Sequence, residues 1–215
     1  MRTISTAGKA RKALTLIGFS AVATMVFIGA ARFVYEKASD AIPPAGVSPS
    51  RLTVVRPAGY AAISPDQLAP YTRAGIVTWQ AGAFLRAQPD AFARAQDAYE
   101  LALTGVLKRS RPGGPETVAA QVLADAQANI FLGGDPAWGR GTGRELRLGG
   151  LPAYRMDATG SYRDARKRGY HFTSLRVTVV AVDTGEARMP VAVFGTFDNL
   201  DPRATETMIE SIRAR

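Results

Sequence analysis

YHFTSLRVTVVAVDTGEARMPVAVFGTF, residues 170–197, holds two apolar runs on either side of a turn. In the first, Leu175, Val177, Val179 and Ala181 alternate with Arg176, Thr178, Val180 and Val182. That period of two predicts a strand with one face apolar throughout and the other half polar. Asp183-Thr184-Gly185 has the residue chemistry of a turn, and Met189 to Phe197 brings the chain back as a second strand. Downstream, Asp201-Pro202 opens a helix in which Ala204, Met208 and Ile212 face one way, joined by Ile209. Upstream, the polar stretch RDARKRG at 163–169 separates this pair from another hairpin. In that hairpin, Arg144 to Leu148 meets Leu151 to Tyr162 across Gly149-Gly150.

Further back the period lengthens. From Pro115 to Phe131, Val118, Val122, Ala126 and Ile130 form the stripe of a helix, closed by Gly133-Gly134. After Pro89-Asp90, the residues Phe92, Ala95, Tyr99, Leu103 and Val106 recur at three and four, which predicts a second helix. Lys108, Arg109 and Arg111 then sit where its dipole favours cations. Ser64-Pro65-Asp66-Gln67 has the pattern of a capping box opening a helix that Pro70 keeps short. Ile76 to Gln80 reads as a strand with Trp79 on the side of Val77. Leu52, Val54 and Val55 suggest a first short strand, with Gly59 to Ile63 as its hairpin partner. The expected domain is α+β, an antiparallel sheet covered by helices.

The N-terminus has a different chemistry. ALTLIGFSAVATMVFIGAA, Ala13 to Ala31, carries no charge, and Phe33, Val34 and Tyr35 extend it into the interface beyond Arg32. At 1.5 Å per residue such a helix spans roughly 28 Å, close to a hydrocarbon core of about 30 Å. Residues 13–35 are therefore expected to form a transmembrane helix. Arg2, Lys9, Arg11 and Lys12 precede it and predict, by the positive-inside rule, a cytoplasmic tail at 1–12 and an extracytoplasmic domain at 51–215. Residues 36–50, with Pro43, Pro44 and Pro49, read as a semi-rigid linker. The alternative is a signal peptide cleaved near Gly29-Ala30-Ala31 and a secreted domain, although its apolar region exceeds the usual length of roughly 7–15 residues.

Composition narrows the function. The 215 residues contain no cysteine and one histidine, which excludes disulfides, thiolate metal sites, a cysteine nucleophile and histidine-rich metal sites. No cofactor or metal is expected. The net charge is +9, with about half of it beyond residue 40, too diffuse for the basic stripe of a nucleic-acid binder. The expected partners are the bilayer, through 13–35, and an anionic lipid, an envelope polymer or a protein.

LGGLPAYRMDATGSY at 148–162, the hairpin at 170–197 and DPRATETMIESIRAR at 201–215 together resemble the PsbP-like fold, as in actinobacterial extracytoplasmic LpqN-type proteins. Gly150-Leu151-Pro152-Ala153 is similar to the family's strand start, and Glu210-Ser211-Ile212-Arg213 to its closing helix. The resemblance implies an antiparallel sheet with helices on both faces, and transfers no catalytic residue. The chain lacks the cysteine that anchors the lipoprotein members, a role the transmembrane helix would take, and 64–140 matches poorly. A membrane-anchored NTF2-like domain of secretion or conjugation machinery is the second reading, although a C-terminal amphipathic helix suits it less well.

Candidate sites are few. Arg163, Arg166, Lys167 and Arg168, opposed locally by Asp164 alone, form the densest charge of the ectodomain and a candidate docking surface for phosphate headgroups or an acidic partner. Trp138, in a Gly/Pro-rich stretch, is a second binding candidate. His171 would be the general base of a hydrolase, but no Gly-x-Ser-x-Gly elbow accompanies it. GRGTGR at 139–144 lacks the Gly-Lys-Ser/Thr end of a P-loop and precedes a strand, so it reads as a connector. Asp157, Asp164, Asp183 and Glu186 read as solvated carboxylates. The expectation is a binding domain without catalytic chemistry, anchored in a bacterial cell membrane.

Overall fold

A computed structural model describes residues 52–86, 99–109, 112–131 and 135–214. Within them the chain is α+β. Ten strands, β1 (Leu52–Thr53), β2 (Ala61–Ala62), β3 (Val77–Arg86), β4 (Tyr99–Leu107), β5 (Ala137–Trp138), β6 (Thr142–Leu148), β7 (Leu151–Ser161), β8 (Ser174–Val182), β9 (Pro190–Phe197) and β10 (Arg213–Ala214), alternate with three helices. The helices are α1 (Pro65–Ala74), α2 (Pro115–Asn129) and α3 (Pro202–Glu210). One antiparallel sheet runs in the order β2-β3-β4-β9-β8-β7-β5, with β6 beside β5 on the outer edge of β7, and β1 pairs separately with β10.

The centre of the sheet is apolar on both sides. All eight residues of β9 are buried, and so are the last six of β8. Val177, Val179, Ala181, Val191 and Val193 pack in one cluster with Val118, Val122 and Ala126 of α2 and Leu68 of α1. Val180, Val182, Ala192 and Phe194 pack in the other with Met208 and Ile209 of α3 and with Leu52 and Ile212. Each of the larger side chains, the valines, leucines, isoleucines, phenylalanine and methionine, contributes about 1.5–3 kcal/mol by leaving water. The result is a helix-sheet-helix sandwich, with α1 and α2 on one face and α3 on the other.

Local signals set the helix starts. Ser64 caps α1 as a capping box, its backbone N–H donating to Gln67 Oε1 at 2.7 Å. Pro115 and Pro202 stand in the first turns of α2 and α3, and the side chain of Asp201 caps α3 by accepting from Arg203 N–H.

Polar groups tie α3 to its face of the sheet. Arg155 of β7, 3% exposed, donates from Nη1 and Nη2 to both carboxylate oxygens of Glu206, at 2.6 and 2.8 Å. Its Nε and Nη2 reach Asp157 at 2.8 and 2.9 Å, and Thr178 Oγ1 also donates to Asp157. Its hydrogen bonds to Glu206 and, against burial, to Asp157 raise the pKa of Arg155. Removing one partner would strand a buried charge, which typically costs several kcal/mol. Asp157 is thus part of a charge network, where the sequence suggested a solvated carboxylate.

Glu100 of β4, 1% exposed, is the second polar group on this side. It accepts from the hydroxyl of Tyr60 and, at 3.5 Å, from Thr205 of α3, whose hydroxyl also meets Thr196. Burial pushes its pKa up to about 7, the Thr205 hydroxyl lowers it, and the charge of Asp201 adds to the rise.

Several expectations are corrected. The helix expected around Tyr99, Leu103 and Val106 is strand β4, between β3 and β9; residues 87–98, with Phe92 and Ala95, lie outside the described ones. Every residue from Glu100 to Leu107 is buried, so the period of two was hidden in a run apolar on both faces. Leu52–Thr53 pairs with Arg213–Ala214, and Ala61–Ala62 with β3, so the first expected hairpin does not form. The last helix stops at Glu210, and the chain becomes extended two residues beyond Ser211. Among the described residues no helix is long and apolar enough to cross a membrane. The span expected at 13–35, the tail at 1–12 and the linker at 36–50 lie outside the described residues.

Glu100 makes stability depend on pH with a definite sign. Its folded pKa, about 7, lies above the ordinary 4.5. The native state therefore holds a proton that the unfolded chain has released, and stability falls as pH rises from 4.5 to 7. Denaturant titration should show Glu100→Gln flattening this decline. The variant should be about equal to wild type at pH 4 and up to about 3 kcal/mol more stable at pH 8. Equal slopes in both proteins would contradict the assignment.

Candidate functional site

The loop from Tyr162 to Thr173 joins β7 to β8 and closes on itself. Tyr162 N–H donates to the Thr173 carbonyl at 2.9 Å, and Tyr170 N–H to that of Ala165 at 2.9 Å. Arg168 N–H reaches the carbonyls of Asp164 and Ala165 at 3.0 and 3.1 Å. These bonds wind 164–170 into a tight coil.

Aromatic rings hold the coil from beneath. Tyr170 stacks on Phe172 at 5.0 Å, Tyr162 meets Phe172 edge-on at 5.1 Å, and Phe172 lies 4.1 Å from Phe197 of β9. Tyr162, Ala165, Phe172 and Phe197 are buried in the α2-side core. Burial, then the neighbouring Tyr170, pushes the Tyr162 phenol up to about 12. Such ring pairs contribute about 0.5–1.5 kcal/mol beyond the area they bury.

Asp198, just beyond β9, fixes the far end. Its carboxylate accepts from Thr173 N–H at 2.9 Å, Ser174 N–H at 3.1 Å and both hydroxyls of that pair. Burial opposes its charge, but the hydrogen bonds from Thr173 and Ser174 outweigh that and hold the carboxyl below its ordinary range. It is ionised at neutral pH.

With its apolar side buried, the coil turns its charge outward. Arg163, Arg166, Lys167 and Arg168 are all exposed. Lys167 Nζ lies 3.0 Å from Asp164, a surface pair of small energetic weight. Arg166, Gly169, Tyr170, His171 and Thr173 line an open cleft of about 580 Å³ together with Asp198 and Asn199. Of the predicted cations the cleft takes in Arg166 alone, beside His171 and a carboxylate and an amide that the sequence did not single out; Arg163, Lys167 and Arg168 do not line it. The available signal was an aspartate directly after β9, across from the Thr173-Ser174 start of β8.

Trp138 lies elsewhere. It pairs with Gly160 on the edge of β7, is half-buried against the α2-side core, and does not line the cleft. A Cβ on Gly160 would come within 2.9 Å of its ring, which explains that glycine. In the glycine-rich stretch, Gly143 belongs to β6, and the Tyr154 ring lies where its Cβ would stand, 2.7 Å from Cζ. Close packing accounts for that glycine without a bound anion.

Replacing Asp198 with alanine strips the acceptor from the Thr173 and Ser174 donors. We expect Asp198→Ala to lower stability by about 1–2 kcal/mol and to speed amide exchange at Thr173 and Ser174 while β8 stays protected. Unchanged exchange there would show that the rings alone hold the coil.

No protein-family model and no curated protein matches the chain. Among solved structures it is similar to LpqN of Mycobacterium tuberculosis, described as involved in cell envelope biogenesis. The identity is 15% over 84% of this chain and 90% of that chain, with a TM-score of 0.42.

Proposed function

We propose that this protein is a membrane-anchored binding module, without catalytic chemistry, whose extracytoplasmic domain presents the 163–168 cations to an anionic surface of a bacterial cell envelope. The observation that carries the reading is the outward display of Arg163, Arg166, Lys167 and Arg168 from a coil clamped by rings and by Asp198. A preformed loop gives up little conformational freedom on docking. Each cation near a charged membrane contributes about 1 kcal/mol, within a Debye length of about 8 Å at physiological salt. Helices on both faces of the sheet support the PsbP-like reading over the NTF2-like one.

The anchor at 13–35 supplies the other half of the proposal: it would hold the domain within reach of the surface that the loop meets. Two outcomes follow. Full-length protein in neutral nanodiscs should capture phosphatidylglycerol vesicles at low salt. Capture should weaken roughly tenfold or more when Arg166, Lys167 and Arg168 are all replaced by serine. Equal capture by both proteins would reduce the loop to a solubility feature. A C-terminal tag should be digested by protease added to intact protoplasts, and protection until the membrane is breached would overturn the topology.

A further inference from the structure

The cleft beside the cations is chemically two-sided. Its lining combines the Arg166 cation with the ionised Asp198, the Asn199 amide, Thr173 and the half-buried Tyr170 ring. A bare phosphate drawn to Arg166 meets repulsion from Asp198. A ligand that uses the whole cleft must therefore combine an anionic group with hydrogen-bond donors.

From this we infer that the cleft is a subsite for a phosphorylated sugar or cyclitol, with phosphate on Arg166 and the ring hydroxyls on Asp198 and Asn199. This rests on the anionic-surface reading and names the chemistry that the surface carries. Two observations, the satisfied Asp198 charge and the Asn199 amide, favour hydroxyl donors over an amine, and a third shows where a donor fits. The Asp198 charge is already spread over four donors from Thr173 and Ser174, so it needs no ammonium partner. Its Oδ1 accepts from Thr173 N–H at 2.9 Å, while Oδ2 takes the bonds from Ser174 and both hydroxyls, so Oδ1 keeps room for a further donor. The Asn199 amide both donates and accepts, matching a polyol and giving an ammonium no more than a spare acceptor. One face of Tyr170 is stacked on Phe172, and the remaining exposed part of its ring can meet sugar C–H groups. At about 580 Å³ the cleft is within the roughly 300–1,000 Å³ of small-molecule sites, and its openness suits a hydrated ligand held weakly.

The test titrates full-length protein in neutral micelles with glucose 6-phosphate, inorganic phosphate, glucose and phosphoethanolamine, following the amide resonances of Gly169, Thr173 and Asn199. Glucose 6-phosphate should bind at least about tenfold more tightly than each of the others, since its phosphate and hydroxyl contacts act together. Asn199→Ala should bring glucose 6-phosphate down towards inorganic phosphate and leave inorganic phosphate unchanged. Arg166→Ser should weaken both. If inorganic phosphate or phosphoethanolamine binds as tightly as the sugar phosphate, the subsite is wrong, while capture of phosphatidylglycerol vesicles would still uphold the surface reading. Replacing phosphatidylglycerol with phosphatidylinositol in those vesicles identifies the source: stronger capture points to a lipid-borne ligand, and equal capture beside tight glucose 6-phosphate binding points to a polymer-borne one.

Discussion

Strand β9 has no side to offer to water. It lies between β4 and β8, and each of its residues from Pro190 to Phe197 is buried, so the sheet is stable only with a layer on each face. Helix α2 supplies one layer through Val118, Val122 and Ala126, and α3 supplies the other through Met208 and Ile209. The two layers differ in kind. The α2 side is an apolar core into which the rings beneath the cationic coil also settle. The α3 side mixes apolar contacts with buried ions, and there the Glu206 fork on Arg155 and the hydroxyl of Thr205 fix where the helix lies. A short helix with few apolar residues gains its orientation from those directional bonds.

The cationic coil draws on the same arrangement. Phe197, the last residue of β9, lies under Phe172, and Asp198, the next in the chain, clamps Thr173 and Ser174. One short segment therefore ends the central strand, supports the coil and supplies part of the lining of the cleft. Structural and exposed work are divided by residue type: the rings and Asp198 hold the geometry, and the arginines and the lysine face solvent.

Much of this was legible in the sequence wherever the environment imposed a single period or a cap. The alternation from Leu175 to Val182, the Asp183-Thr184-Gly185 turn, the capping box at Ser64 and the stripe of α2 all have local causes, and each element forms where its residues indicated. Strand β4 was misread because burial on both faces removes the polar positions that mark a period of two. The partner of β1 was misassigned because pairing across some 160 positions, Leu52 with Ala214, leaves no local trace, and β2, left without β1, pairs with β3 beyond α1. Of the site, the cations were visible as charge density. Asp198 and Asn199 were not, because their role arises only when β9 and β8 are brought into register.

The two-residue ladder between β1 and β10 clips Leu52–Thr53, the first described stretch, to Arg213–Ala214, the last, and Val55 N–H adds one bond to Ser211 Oγ at 2.9 Å. This clip is held by few bonds, so it opens at a lower free-energy cost than the eight-stranded sheet. Leu52 also sits in the α3-side core, so opening the clip exposes one large apolar side chain while the coil and its cleft, built on other residues, keep their contacts.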